Sequence, residues 1–277
     1  MLYILLFSSC TSSVWEKFVP HTTYINVQRP TIDPTKLHMT RISAGSFVMG
    51  CTTEQRLDCD KDERPHFKAI IDRDFSIGTY EVTQGLYERI MGNNPSFFSN
   101  CGLDCPVETV RWYDAILFTN TLNESLGLQK CYSIDEKHVS FVGVTCQGYR
   151  LPTEAEWEYV ARAKQEFMFS GGQEIDQIAW YINNSFSQTH PVGQKSDNLF
   201  AVYDMSGNVL EWVWDWKGTY NRETKRNPTG AQDGLFRVAR GGSWSGQTFQ
   251  MRVSYRYTGG VPDRKENFIG FRLAKSE

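Results

Sequence analysis

The sequence has 277 residues, long enough to bury a core, and its 40% apolar and 22% charged content excludes wholesale disorder. Lys plus Arg total 29 and Asp plus Glu 32, and the formal charge of −3 argues against a nucleic-acid partner held by a basic face. No apolar run reaches the ~18 residues of a spanning helix, while 14% aromatic content and 22 glycines point to a loop-rich protein whose rings pin its loops.

In chain order, residues 1–7 are all apolar and precede Ser8, Ser9 and Cys10. This resembles the end of a bacterial lipoprotein signal, in which the cysteine is lipidated; the same run would also serve as an apolar strand. On the lipoprotein reading residues 1–10 are signal, Cys10 carries the lipid, residues 11–39 are a tether, and residues 40–277 form one domain. The protein is then exported and meets a membrane only through that anchor. From Arg41, the run Ile-Ser-Ala-Gly-Ser-Phe-Val-Met-Gly predicts a short strand. Residues 65–77 alternate and predict another, and residues 80–82 a third. Thr83 caps a helix to about Met91, closed by Gly92-Asn93-Asn94-Pro95. Trp112, Ala115, Ile116, Phe118, Thr119 and Leu122 recur at helical spacing, so a second helix runs up to Gly127. Thr153 and Glu156 make a capping box that opens a third helix to about Lys164. Beyond it the patterns are short strands, at 180–181, 190–193, 209–214, 236–240, 251–257 and 269–273, separated by long loops. Helices first and irregular strands last imply an α+β fold.

Apart from Cys10, six cysteines fall as close pairs: Cys51 with Cys59, Cys101 with Cys105, Cys131 with Cys146. Fifteen connectivities are possible, and local pairing is the simplest; reduced core thiols are the alternative. Disulfides would persist only in an oxidising compartment. No Cys-x2-Cys pair exists and no histidine clusters near these residues, which argues against zinc.

Several phrases then occur in a fixed order: 44–50 (Ala-Gly-Ser-Phe-Val-Met-Gly), Tyr80-Glu81-Val82-Thr83, Pro106-Val107-Glu108, 150–158 (Arg-Leu-Pro-Thr-Glu-Ala-Glu-Trp-Glu), 203–212 with its Gly207-Asn208 pair, Arg240-Gly241-Gly242-Ser243-Trp244, and Gly270-Phe271-Arg272-Leu273. Together they resemble the formylglycine-generating-enzyme (sulfatase-modifying factor) family over about residues 40–275. The resemblance implies a loop-rich variant of the C-type lectin fold. It implies a structural Ca²⁺ with Asn208 and Glu211 as side-chain ligands; simple hydrogen bonding of the loop by these residues is the alternative. No cofactor is required otherwise. Trp212, Trp214, Trp216 and Trp244 are expected to fill the core under the loops. Enzymes of the family bind copper through two cysteines just after the Gly-Gly-Ser phrase, because Cu(I) needs soft thiolates. Here residues 241–252 hold none, nor does anything after Cys146. Met251 is expected to pack, and catalysis is not expected. Asp114, Glu154, Glu156 and Glu158 fall on helix faces or caps, where solvated charge is the default.

In the last forty residues a frame of Gly-Gly-Ser-Trp, Arg252, Arg256, Pro262-Asp263 and Ile269-Gly-Phe-Arg alternates with an unrelated mixture. This resembles the variable region of diversity-generating retroelements, which display randomised residues on a C-type lectin fold. The implied ligand-binding residues begin with Ser245, Gly246, Gln247, Phe249 and Gln250. They continue through Tyr255, Tyr257, Thr258, Gly259 and Gly260 to Arg264, Glu266, Asn267 and Phe268. Phe249, Tyr257 and Phe268 are the candidate anchors, with Arg264, Lys265 and Glu266 as a polar rim; inward packing of Phe249 and Phe268 is the alternative. The implied partner is a protein or cell-surface molecule. A divergent oxidase of the family and a structural envelope lipoprotein are the rival readings.

Overall fold

Short strands tied by long connections dominate the computed structural model, which describes residues 33, 35–55, 59–136 and 138–277. The elements are β1 (Met39–Ile42), β2 (Gly45–Met49), β3 (Phe67–Ile71), β4 (Phe75–Gly78), α1 (Gln84–Met91), α2 (Trp112–Ser125), β5 (Tyr132–Asp135) and β6 (His138–Phe141). They continue with β7 (Tyr149–Arg150), α3 (Glu154–Arg162), α4 (Ile175–Ile178), β8 (Leu210–Trp216), β9 (Lys225–Arg226), β10 (Arg237–Arg240), β11 (Ile269–Phe271) and β12 (Ala274–Ser276). Asp33–Glu277 is one unit. The proposed signal, Cys10 and the tether up to residue 32 lie outside the described residues.

All three expected helices form. Thr83 accepts from Leu86 N at 3.2 Å to cap α1, and Gly92 ends it at φ 77°, where glycine is the natural residue. Asp114 accepts from Arg111 N at 2.9 Å at the start of α2. The single strand expected over 65–77 is two strands, β3 and β4. The chain turns between them, where Asp74 accepts from Ala44 N at 2.9 Å and Asp72 from Asn227 Nδ2 at 2.7 Å. The strand expected from Arg41 is likewise split into β1 and β2. Residues 80–82, 180–181 and 190–193 form no strand. Residues 251–257 do not either: a 3-10 turn over Thr248–Met251 leads into a loop held by buried arginines. The β5–β6 hairpin and α4 are too short to leave a periodic signal.

Strands β1-β4-β12-β7 form one sheet, β10-β8-β11 a second, β2-β3-β9 a third, and β5-β6 a hairpin. Strand β11 joins β8 in parallel while β10 joins it antiparallel, so the residues between 240 and 269 leave and re-enter one small sheet. One core cluster packs α1 and α2 against β8 and β11 around Trp112, Phe118, Trp212 and Phe271. A second packs α3 against β2, β3 and β4 around Trp157, Phe67 and Phe75. The cysteines pair locally as expected: Cys51–Cys59, Cys101–Cys105 and Cys131–Cys146.

Candidate functional site

Helix α3 opens on the expected capping box, with the Thr153 hydroxyl accepting from Glu156 N at 3.1 Å and Glu156 accepting from Thr153 N at 2.9 Å. The expectation that its glutamates are solvated is overturned, since Glu154, Glu156 and Glu158 are all buried. Each meets an arginine. Arg150 donates to both oxygens of Glu156 at 2.7 and 2.8 Å, and Arg256 to both oxygens of Glu154 at 2.7 and 2.9 Å. Arg240 pairs with Glu158 and with Glu154. Arg252 donates to both oxygens of Glu63 at 2.7 and 2.6 Å. Burial pushes the Glu154 carboxyl up, but Arg256 and Arg240 outweigh it and hold it below its ordinary value. Arg240, Arg252 and Arg256 bracket the loop 241–256. Its backbone is therefore pinned from beneath by bidentate pairs that involve none of its outward side chains.

On the solvent side of this frame Gln247, Thr248 and Phe249 are exposed. They line an open groove of about 580 Å³ together with Ile182, Asn183, Met168, Gln55 and the buried Arg252. Ser245 is half-buried, its hydroxyl 3.3 Å from that of Ser243. Gln250 accepts from Gln247 N at 2.8 Å and donates to the Tyr255 hydroxyl at 3.1 Å, so it shapes the loop. Three expected face residues are not on the face. Tyr255 is buried. Gly246 is buried, and a Cβ added there would meet the Met251 methyl at 2.6 Å. Gly260 is buried too, and an added Cβ would meet the Arg237 carbonyl at 2.0 Å. Close backbone packing demands glycine at 260, whereas at 246 the flexible end of Met251 is what fills the space. Met251 packs as expected, with Phe169, Ile178, Ala179 and Tyr181.

The remaining candidates form a second cluster. Tyr257 and Phe268 lie partly buried against the core with their rings 6.1 Å apart, so inward packing holds for these two and not for Phe249. Thr258 is exposed and Gly259 half-buried beside the Tyr257 ring. Arg264 and Glu266 pair at 3.4 Å near the surface. The Asn267 carbonyl accepts from Trp244 Nε1 at 3.0 Å, so Trp244 links the two clusters. Trp212 is a core ring, whereas Trp214, Trp216 and Trp244 are only half-buried. Ile182, Asn183, Met168 and Gln55 were not anticipated at the groove. The Asn183-Asn184-Ser185-Phe186 run, a lone ring among small polar residues, is the signal that could have found the first two.

The pair expected to ligate Ca²⁺ has protein partners instead. Arg272 donates to both Glu211 oxygens at 2.6 and 2.7 Å, and Trp157 Nε1 donates to one of them at 2.7 Å. Asn208 accepts from His190 N at 3.0 Å and donates to Glu81 at 2.9 Å. The cation beside Glu211 is thus a guanidinium. Among the described residues no group of three or more His, Cys, Asp or Glu is arranged to hold a metal. As placed, these two side chains do not fit an oxygen cage of six to eight ligands. Burial, then Asp204 and Glu211, pushes the Glu81 carboxyl well above its ordinary value.

The sulfatase-modifying factor enzyme 1-like domain matches residues 26–277. The chain belongs to this family. Its loop-rich α+β fold is that of the solved Treponema denticola variable protein 1, with a TM-score of 0.78 at 32% identity, covering 86% of this chain and 95% of that one. "Chaperone protein LppX" of Paenibacillus barcinonensis is 37% identical over 216 residues, 66% of this chain and 73% of that protein. The formylglycine-generating enzyme of Bos taurus is 26% identical over 294 residues, 87% of this chain and 75% of the enzyme. The chain spans about two fifths of the chlamydial serine/threonine-protein kinases it also matches. The family therefore joins this chain both to enzymes and to a variable protein.

Proposed function

We propose that this family member is an exported ligand-binding display protein without catalytic activity, held to the envelope by a lipid on Cys10. Its C-terminal loops, diversified by a retroelement, form the face that meets a protein or cell-surface ligand. One observation carries the reading: the ion pairs that hold residues 241–256 use no side chain of Gln247, Thr248 or Phe249, which remain exposed while the Arg252 guanidinium holds the Phe249 carbonyl from beneath. A face built this way accepts many side chains on one backbone, and the likeness to a variable protein supports it. Three disulfides favour an oxidising compartment. Among the described residues no helix is long and apolar enough to cross a membrane.

The oxidase reading has against it that all six cysteines of the domain are in disulfides and none follows Cys146. The test has two arms. Purified protein is assayed for bound copper and for oxidation of cysteine peptides; turnover would overturn the proposal. The gene's surroundings are searched for a reverse transcriptase and a near-copy of codons 240–272, whose presence is expected.

A further inference from the structure

Three loop segments meet beside the groove, and none carries a charged side chain. Residues 90–103, 177–194 and 241–251 contain no Asp, Glu, Lys or Arg, in a chain that is 22% charged. His190 lies among them, and burial lowers its basicity, disfavouring the charged imidazolium. Short contacts stitch the segments together. Ile182 N donates to the Gly246 carbonyl at 3.1 Å, and the Ser185 hydroxyl to the Trp244 carbonyl at 2.8 Å. The Phe98 ring meets Trp244 edge-on at 5.2 Å, and Phe97 meets Phe98 at 5.0 Å. Beneath this aromatic loop the buried Glu108 carboxylate accepts from Phe98 N at 2.8 Å.

Apolar side chains stand out of all three segments: Phe186 is 83% exposed, Phe97 68%, Ile182 53% and Phe249 43%. Phe186 and Ser187 also sit at φ 53° and 59°, in the left-handed region. A bulky ring held there, with no burial to compensate, is the kind of strain found at binding sites.

We propose that the three segments form one recognition surface for a protein partner whose footprint is apolar and uncharged. The proposal rests on the ligand-binding reading and widens it to two loops outside the C-terminal region. A charge on the partner would lose its water here, and the cation that lines the groove, Arg252, is buried and already committed to both Glu63 oxygens, so phosphate-bearing and acidic ligands are disfavoured. Rings on well-held loops are the anchors of protein interfaces, and interface cores are depleted in charge. Asn183, Gln247 and Thr248 offer both donors and acceptors, which suits peptide groups.

The probe is a library of random peptides displayed on phage, panned against the full disulfide-bonded protein. Enriched peptides are expected to be uncharged and rich in apolar residues, with affinities nearly unchanged between low and high salt. Phe97→Ser and Phe186→Ser, both at exposed positions and checked for wild-type melting, are each expected to weaken them by roughly tenfold or more. Loss on Phe249→Ala alone would overturn the composite surface and leave the ligand-binding reading standing. Peptides indifferent to all three substitutions would overturn both. Enrichment of charged, salt-sensitive peptides, or of oligosaccharides on a glycan array in place of any peptide, would overturn the partner class.

Discussion

At the scale of single residues, the buried guanidinium–carboxylate pairs are where losing one partner is most costly. Glu211 and Arg272 are both fully buried and doubly bonded. Glu211→Ala strands the guanidinium and is expected to cost about 3–5 kcal/mol in urea unfolding, because an unpaired buried charge is far worse than none. Glu81 supplies a pH test. Its folded carboxyl is raised above the ordinary 4.5, so the folded state holds that proton more tightly than the unfolded chain. The group's contribution is present below pH 4.5 and is lost as pH rises above it. The stability of Glu81→Gln relative to wild type is therefore expected to improve from about pH 4 to about pH 8. A difference that is flat, or that falls, would contradict the buried carboxylate.

Among the elements, the β5–β6 hairpin is the least able to stand alone, since two isolated strands are marginal in water. The Cys131–Cys146 disulfide closes it across a separation of 15 residues. Replacing both cysteines with serine is expected to cost about 3 kcal/mol. The amides of Ile134 and Val139 should then exchange ahead of the rest of the chain. Alkylation of the native protein without reductant should label none of the six domain cysteines. The 182–190 loop offers the opposite sign. Ser187 is held at φ 59°, so Ser187→Gly is expected to raise stability by about 1 kcal/mol.

For the whole molecule, the claim is that face and frame are energetically separate. Gln247, Thr248, Thr258 and Lys265 are all exposed. Changing all four to alanine is expected to leave the melting temperature nearly unchanged, each being worth about ±0.5 kcal/mol or less. Trp244→Ala, at a half-buried ring that ties two loop clusters together, should cost about 2 kcal/mol or more. Collapse of the fourfold variant with tolerance of Trp244→Ala would mean that face and frame have been exchanged.

Much of this was legible in one dimension. The caps at Thr83 and Thr153, the helical spacing from Trp112 to Leu122 and the close cysteine pairs are local signals, because each depends on residues within a few positions of one another. The strand split at Asp72–Asp74 was not legible, since its cause is Ala44 and Asn227, far along the chain. Nor was the burial of Glu154, Glu156 and Glu158. A glutamate on a helix reads as solvated until its arginine partners are seen in space: Arg256 reaches Glu154 from 102 residues away, whereas Glu156 is met by Arg150 only six positions off, a pair that a helix pattern does not reveal. The same holds at the face. The resemblance to a variable region marked Gln247 and Phe249, yet only packing against Arg237 and Met251 removed Gly260 and Gly246 from it, and only loop contacts brought Ile182 and Phe97 toward Trp244. The sequence by itself determined the three longer helices and the family and made local cysteine pairing the simplest choice; the tertiary structure decided the disulfides, which charges are buried and which loops share a surface, because these depend on neighbours in space rather than along the chain.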